Sequence, residues 1–185
     1  MFLSLLMSIG LLAGGGVTPP HAAAPETSVD AGGALPTPQF RRFGTADGLP
    51  SSSVYAVVQD HDGAMWFGTK GGLARYDGVG FQVFHHVAGD PTSLPDNTVG
   101  ALLVDHAGRL WTSGLEAGLN RYDPTTGGFL HWRHDPADPA SLSIDKVWTI
   151  AECSGGTIWV GTEAGLDRMR ADGRHFDHIR PPQVD

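Results

Sequence analysis

Four kinds of residue in this sequence could do chemistry, and most of them recur. Histidines come close together at His85-His86, at His131 and His134, and at His175 and His178. Such pairs are a spacing that can hold a transition metal. Carboxylates recur at Asp60 and Asp105 and again at Asp77 and Asp123. Two of them meeting in one site could share acid and base roles. Arg75, Arg121 and Arg168 recur as well, and a guanidinium forks onto anionic ligands. Tyr55 and Trp148 are aromatics with a polar tip, able to stack on a sugar or another flat ligand.

Recurrence decides how these groups can be combined, because a group repeated once per structural unit is held apart from its copies. The unit is plain in WFGTKGGLARYD from Trp66, WTSGLEAGLNRYD from Trp111 and WVGTEAGLDRMR from Trp159. Upstream, the three copies align without gaps from Val54, Val99 and Val147 to their tryptophans. An apolar run opens each copy, at 54–58, 99–104 and 147–151, and reads as a strand buried on both faces. Asp60-His61-Asp62-Gly63 and Asp105-His106-Ala107-Gly108 read as hairpin turns, with Cys153 in the aspartate's place in the third copy. A glycine turn then leads to a Gly-Leu strand, and Phe81–Phe84, 129–132 and 176–179 supply a fourth.

Four short strands in about 45 to 48 residues are the period and content of a propeller blade. A sheet apolar on both faces must stack between like neighbours. The reading is an all-β, partial β-propeller: three four-stranded antiparallel blades at 48–91, 92–139 and 140–180. Phe40 and Phe43 repeat the spacing of Phe81 and Phe84, so 39–47 is expected as an orphan outer strand that clasps a ring. Three blades are too few to close a ring, which makes the chain an expected N-terminal piece of a larger propeller, with 181–185 a truncated tail. Residues 1–24, apolar from Phe2 to Leu12 and ending in Ala22-Ala23-Ala24, read as a signal segment, and 25–38 as a disordered linker.

With the blades in place, the candidate chemistry separates. The histidine pairs fall on or just past the outermost strand of each blade, where edges splay apart; solvent-facing edge residues are expected and no metal site. The aspartates fall in equivalent turns, where they bond the turn backbone. The arginines should pack across the strand and bond a neighbouring blade's turn, or else hold an anionic ligand. Trp66, Trp111 and Trp159 are expected in the core between blades. Trp148 aligns with Tyr55 and Gly100 near the start of the first strand, which lines a propeller's channel. The ligand-binding candidates are therefore Tyr55, Trp148, Arg75, Arg121 and Arg168. No Ser-His-Asp set, phosphate loop or metal box stands out, so no catalytic residue, metal or cofactor is expected. Net charge is −8 with only Lys70 and Lys146 as lysines, which argues against nucleic acid as a partner. One cysteine, Cys153, excludes an internal disulfide; a partly exposed thiol without catalytic duty is expected.

Gly48-Leu49-Pro50-Ser51-Ser52-Ser53-Val54, Trp66-Phe67-Gly68-Thr69 and Gly72-Leu73-Ala74-Arg75-Tyr76-Asp77 together resemble the two-component regulator propeller repeat. Gly118 to Asp123 is similar to the family's usual ending, and the resemblance runs over about 40–180. Blade two departs with Thr112-Ser113-Gly114 in place of an apolar-Gly-Thr run, and blade three with Met169-Arg170 in place of Tyr-Asp. The resemblance implies a periplasmic, ligand-sensing propeller with the remaining blades of the same chain as its neighbours. A small-molecule or glycan ligand and a receptor dimer follow from it, as does membrane contact only through the signal segment or a downstream span. A histidine kinase or diguanylate cyclase output would lie downstream. The alternative is an exported propeller enzyme, such as a lyase or a glycan-active protein. If 1–24 direct export, a reporter fused after residue 40 is active only when it is one that works in the periplasm. Activity of a cytoplasmic reporter alone contradicts the signal reading.

Overall fold

The computed structural model describes residues 39–179, and its elements lie in a compact unit that begins at Arg41. The expectations for 1–24, 25–38 and 181–185 lie outside the described residues. Among the described residues no helix is long and apolar enough to cross a membrane. The chain forms three four-stranded antiparallel sheets in sequence order. The first holds β1 (Val54–Gln59), β2 (Met65–Thr69), β3 (Gly72–Tyr76) and β4 (Phe81–Phe84). The second holds β5 (Ala101–Val104), β6 (Leu110–Ser113), β7 (Leu119–Asp123) and β8 (Gly128–Trp132). The third holds β9 (Val147–Glu152), β10 (Ile158–Thr162), β11 (Gly165–Met169) and β12 (Phe176–Ile179). Each sheet is a blade, and β1, β5 and β9 succeed one another along the inner edge.

The blades are held by what lies between them. Trp66, Leu73, Leu94, Val99, Leu110 and Phe129 form one core between the first and second blades. Trp111, Leu119, Leu142, Val147, Val160 and Phe176 belong to another between the second and third. Leu94 and Leu142, which end the two Ser-Leu linkers, are buried wedges in these cores. Leu49 is buried at the matching place before β1, five residues ahead of its valine as in the other two copies. The cores are apolar slabs between sheets, so the burial that stabilises one blade requires its neighbour.

Each slab tryptophan has a polar tether in its own blade. In the first, Asp60 Oδ1 accepts the N–H groups of Asp62 (3.1 Å) and Ala64 (2.9 Å), and Oδ2 accepts the Trp66 indole N–H (2.8 Å). In the second, Asp105 Oδ1 accepts from Ala107 and Arg109, and Oδ2 from the Trp111 indole (2.8 Å). One carboxylate thus closes the hairpin and fixes the ring that fills the core. Gly63 and Gly108 take the left-handed conformation these turns need. In the third blade Cys153 stands in the aspartate's place, and among the described residues the backbone N–H groups of Gly155 and Thr157 and the Trp159 indole make no equivalent bond. The thiol is exposed, as the turn position implies.

Two expectations are corrected. Residues 39–47 form no strand: Arg41 to Gly44 lack a ladder partner, and Thr45–Asp47 make a 3-10 turn. A strand exists only against another strand, and Phe43 instead packs its ring on Tyr76 and Phe81. The opening strands are not buried on both faces. β1 exposes Val54, Tyr55 and Val57, and β9 exposes Trp148. As the innermost strand of its sheet, each has a ladder neighbour on one side only.

Two outcomes follow from the tethers. Burial works to raise the pKa of Asp105, but bonds from the Trp111 indole and from the Arg109 backbone and guanidinium outweigh it and hold the carboxyl below its ordinary range. A folded-state pKa below the unfolded one gives stability that is present above the unfolded value and lost as pH falls through the folded one. Asp105→Asn should therefore lower stability at neutral pH by about 2–3 kcal/mol and flatten the loss of stability below about pH 4, read by thermal melts against pH. In the third blade, Cys153→Asp supplies the missing acceptor and should raise stability by about 0.5–2 kcal/mol in denaturant titrations. A loss of similar size would show that the turn cannot seat a carboxylate.

Candidate functional site

The site follows from a position where the three repeats differ. Tyr55, Gly100 and Trp148 occupy one equivalent place at the start of the inner strands. Tyr55 is 53% exposed and Trp148 54%, unusually open for rings of this size. A glycine sits between them, and a Cβ built on Gly100 would meet nothing within 4 Å. The result is a cleft of about 310 Å³ lined by Tyr55 on one side, Val147 and Trp148 on the other, and Thr98, Gly100, Gly114 and Leu115 between.

The floor of the cleft comes from the other departure of the second blade. In blades one and three, Thr69 and Thr162 close the turn between the second and third strands. Each hydroxyl donates to a glycine carbonyl, of Gly72 at 2.8 Å and Gly165 at 3.0 Å, and accepts a turn N–H. Blade two has Gly114 there, and its turn to β7 is one residue longer. The longer turn carries Leu115, 45% exposed, into the cleft wall. Gly114 must be glycine, since a Cβ would stand 2.2 Å from the Thr98 carbonyl oxygen. The change has a cost nearby. Thr112 Oγ1 and Ser113 Oγ, the residues before Gly114, are buried without a hydrogen-bond partner among the described residues. Local rules broken together are a mark of functional sites.

Electrostatically the cleft is mild. The Lys146 ammonium lies 5.2 Å from the centre of the Trp148 ring and 2.9 Å from Glu163 Oε1, a paired cation at the rim. Two open aromatic faces over an apolar floor, with a hydroxyl at Thr98, favour a ligand with flat apolar faces and polar edges. Among the described residues the only hydroxyls that line the cleft are those of Tyr55 and Thr98.

The remaining candidates stay apart. Each recurring arginine faces its own blade's tryptophan across the ladder, Arg75 opposite Trp66, Arg121 opposite Trp111 and Arg168 opposite Trp159. The guanidinium carbons stand 5.8, 5.5 and 5.9 Å from those rings. Arg75 pairs with Asp60 and Arg168 with Asp177, both within the blade, so the expectation of a bond to a neighbouring blade's turn is corrected. For Arg75 and Arg168 the register that puts the arginine beside its tryptophan also puts a carboxylate of the same blade within reach. Tyr55 and Trp148 are thus brought together, and the three arginines are not.

Of the histidines, His85, His86 and His134 are exposed as expected, whereas His131, His175 and His178 are half-buried, and most of the six also serve as structural ties. His86 and His134 bond the Leu94 and Leu142 carbonyls at 2.7 and 2.8 Å, pinning the two buried wedges. His131 bonds Asn120 Oδ1 and His178 bonds Asp167 Oδ1, both at 2.7 Å, across the outer two strands. Burial lowers the pKa of His131. Outer-strand rings find such partners because linkers fold back over them, a contact that spacing along the chain does not reveal. Asp77 and Asp123 close the turns before the fourth strands by accepting backbone N–H groups. Bonds from those turns, foremost the Gly80 N–H and the Thr125 hydroxyl, hold their pKa values low. Among the described residues no group of three metal-ligating side chains comes together.

Comparison with known proteins agrees with this architecture. Residues 48–71 match the two component regulator propeller family. The chain is 40% identical over 55 residues, 30% of its length, to histidine kinase P4 of Formosa agariphila, and spans 4% of that protein. It is similar to the crystal structure of the extracellular domain of the hybrid two component system BT3049 from B. thetaiotaomicron. That match has a TM-score of 0.70 and 28% identity over 75% of this chain and 20% of that one. Virginiamycin B lyase from Staphylococcus aureus matches with a TM-score of 0.55 and 18% identity over 71% of this chain and 42% of that one, a likeness of fold alone.

Proposed function

We propose, for a chain that carries the two component regulator propeller repeat, that it is an extracytoplasmic ligand-sensing part of a transmembrane signalling receptor. The observation that carries the reading is the cleft: departures from the repeat at Gly100, Gly114 and Leu115 meet there between Tyr55 and Trp148. The names of the relatives, a histidine kinase and an extracellular domain of a hybrid two component system, support a receptor as the setting. The chain spans 4% and 20% of those two proteins, so output, dimerisation and the other blades belong to the proposal. On this reading a kinase or cyclase module follows across a membrane. Occupancy of the inner edge changes how the blades are held, and that change is what the output module reads.

The ligand expected is a sugar ring, or a molecule of like shape, stacked on the Tyr55 and Trp148 faces with its hydroxyls at the edges. The fold likeness to the lyase supplies no residue in favour of catalysis. The test is a saccharide panel titrated against the chain with tryptophan emission as the readout. Trp148→Ala and Tyr55→Ala should each weaken the best binder by about tenfold or more, the loss of one stacked face. Gly100→Trp should abolish binding by filling the space between the rings while leaving the melting temperature near its starting value. Binding that is unchanged in all three variants would overturn the cleft as the site.

A further inference from the structure

The other end of the blades carries a second site. Between the second and third blades, below the Trp111 slab, lies a groove of about 270 Å³. Three arginines line it, Arg109, Arg121 and Arg170, and among the described residues no aspartate or glutamate does. Its walls are tied together, because the Trp132 indole donates to the Gly173 carbonyl at 3.0 Å.

Arg121 is the distinctive member. Its guanidinium lies beside a pair of neighbouring indoles, 5.5 Å from the Trp111 ring and 5.8 Å from the Trp132 ring, whose centres are 5.3 Å apart. Aromatic faces attract the cation but accept none of its five N–H donors in the plane of the fork. Among the described residues Arg121 has neither an ion-pair partner nor a hydrogen-bond acceptor. The sister groove between blades one and two shows how this arises. There Arg75, the equivalent of Arg121, lies 3.8 Å from Asp60, and Asp60 and Asp62 line the groove with it. In the second blade Asp105 is already taken by Arg109 Nε at 2.6 Å, a residue that replaces Ala64 of the first blade. Asp62 is replaced by Ala107. On the far wall Arg170 stands where the second blade has Asp123, and it pairs with Asp177. Each change removes negative charge from the groove or adds positive charge to it.

We propose that this groove binds a small tetrahedral oxyanion, sulfate or phosphate, through the unpaired fork of Arg121, with Arg109 and Arg170, each paired with an aspartate of its own blade, flanking it. Contact with both indoles restricts the guanidinium before the anion docks, so less freedom is lost on binding. The anion is either a free ion or the ester group of a larger ligand, and the same chemistry recognises both. This site lies by the turns after the inner strands, whereas the aromatic cleft lies at their start, so the two proposals fail independently.

The test is calorimetric titration of the full chain with sodium sulfate and with sodium phosphate at constant ionic strength. One saturable site is expected, with a change in tryptophan emission from Trp111 and Trp132. Arg121→Gln should weaken it by at least about tenfold, and Arg75→Gln and Tyr55→Ala should leave it unchanged. Arg121→Lys keeps the charge and the stem but loses the fork. It should give intermediate weakening, and it serves if the glutamine variant does not fold. Tighter binding of a sulfated or phosphorylated monosaccharide than of the free ion identifies an ester group as the ligand, and equal binding identifies the ion. Absence of saturable binding by both anions, or wild-type affinity in the Arg121 variants, overturns the proposal.

Discussion

The indoles of Trp66 and Trp111 carry the array. Each is at least 98% buried in an apolar slab, and each must also satisfy an N–H that water no longer reaches. The turn aspartate of its own hairpin does this with one oxygen while the other closes the turn. A local feature, the hairpin, and a long-range one, the packing of blade on blade, are thereby joined through a single carboxylate. The cross-strand arginine completes the arrangement by covering the ring it faces. Around the second core the leucine wedge at 142, the inner valine at 147 and the outer phenylalanine at 176 close on Trp111.

Such a frame leaves little freedom at most positions, which is why the exceptions are informative. Once a turn, a strand and a slab residue are set by the repeat, a copy that differs must find another way to satisfy its groups. Blade two differs twice. At the inner edge it has lost a turn-closing threonine and gained a residue, and a cleft opens between exposed rings. At the other end of the blade it has gained Arg109, which occupies Asp105 and leaves Arg121 facing a groove that no acid lines among the described residues. Blade three differs at Met169-Arg170 and at Cys153, where its tryptophan loses the tether without the fold changing. Trp159 is only half-buried and belongs to neither core, so water can serve its indole N–H in place of the tether.

How much was legible beforehand depends on the range of the interaction. The twelve strands, the hairpin turns and the burial of Trp66 and Trp111 were readable because period, glycine placement and β-branched runs are local signals that recur three times. The alignment also singled out Tyr55 and Trp148, since equivalent residues follow one another from blade to blade, with only Gly100 between these two. The orphan strand expected at 40–43 did not form, because spacing of two phenylalanines states a preference and only a neighbouring edge makes a strand. Burial of the inner strands was misread for a related reason: an apolar run shows what a strand could bury, not which face finds a partner.

What the chain order could not decide is who meets whom across blades and linkers. Histidines that look like ligand pairs turn out to hold linker carbonyls, because the linkers fold back over the outer strands. Arg75, Arg121 and Arg168 are identical in the repeat and differ only in the carboxylate left available to each, which depends on a neighbour four residues from the turn aspartate and on the facing strand. By itself the sequence determined the repeat, the strands and the residues able to fill a slab, since those follow from local geometry and hydrophobic pattern. Tertiary structure alone decided which polar groups are satisfied and which are left open to a ligand, because satisfaction is a property of pairs brought together by folding.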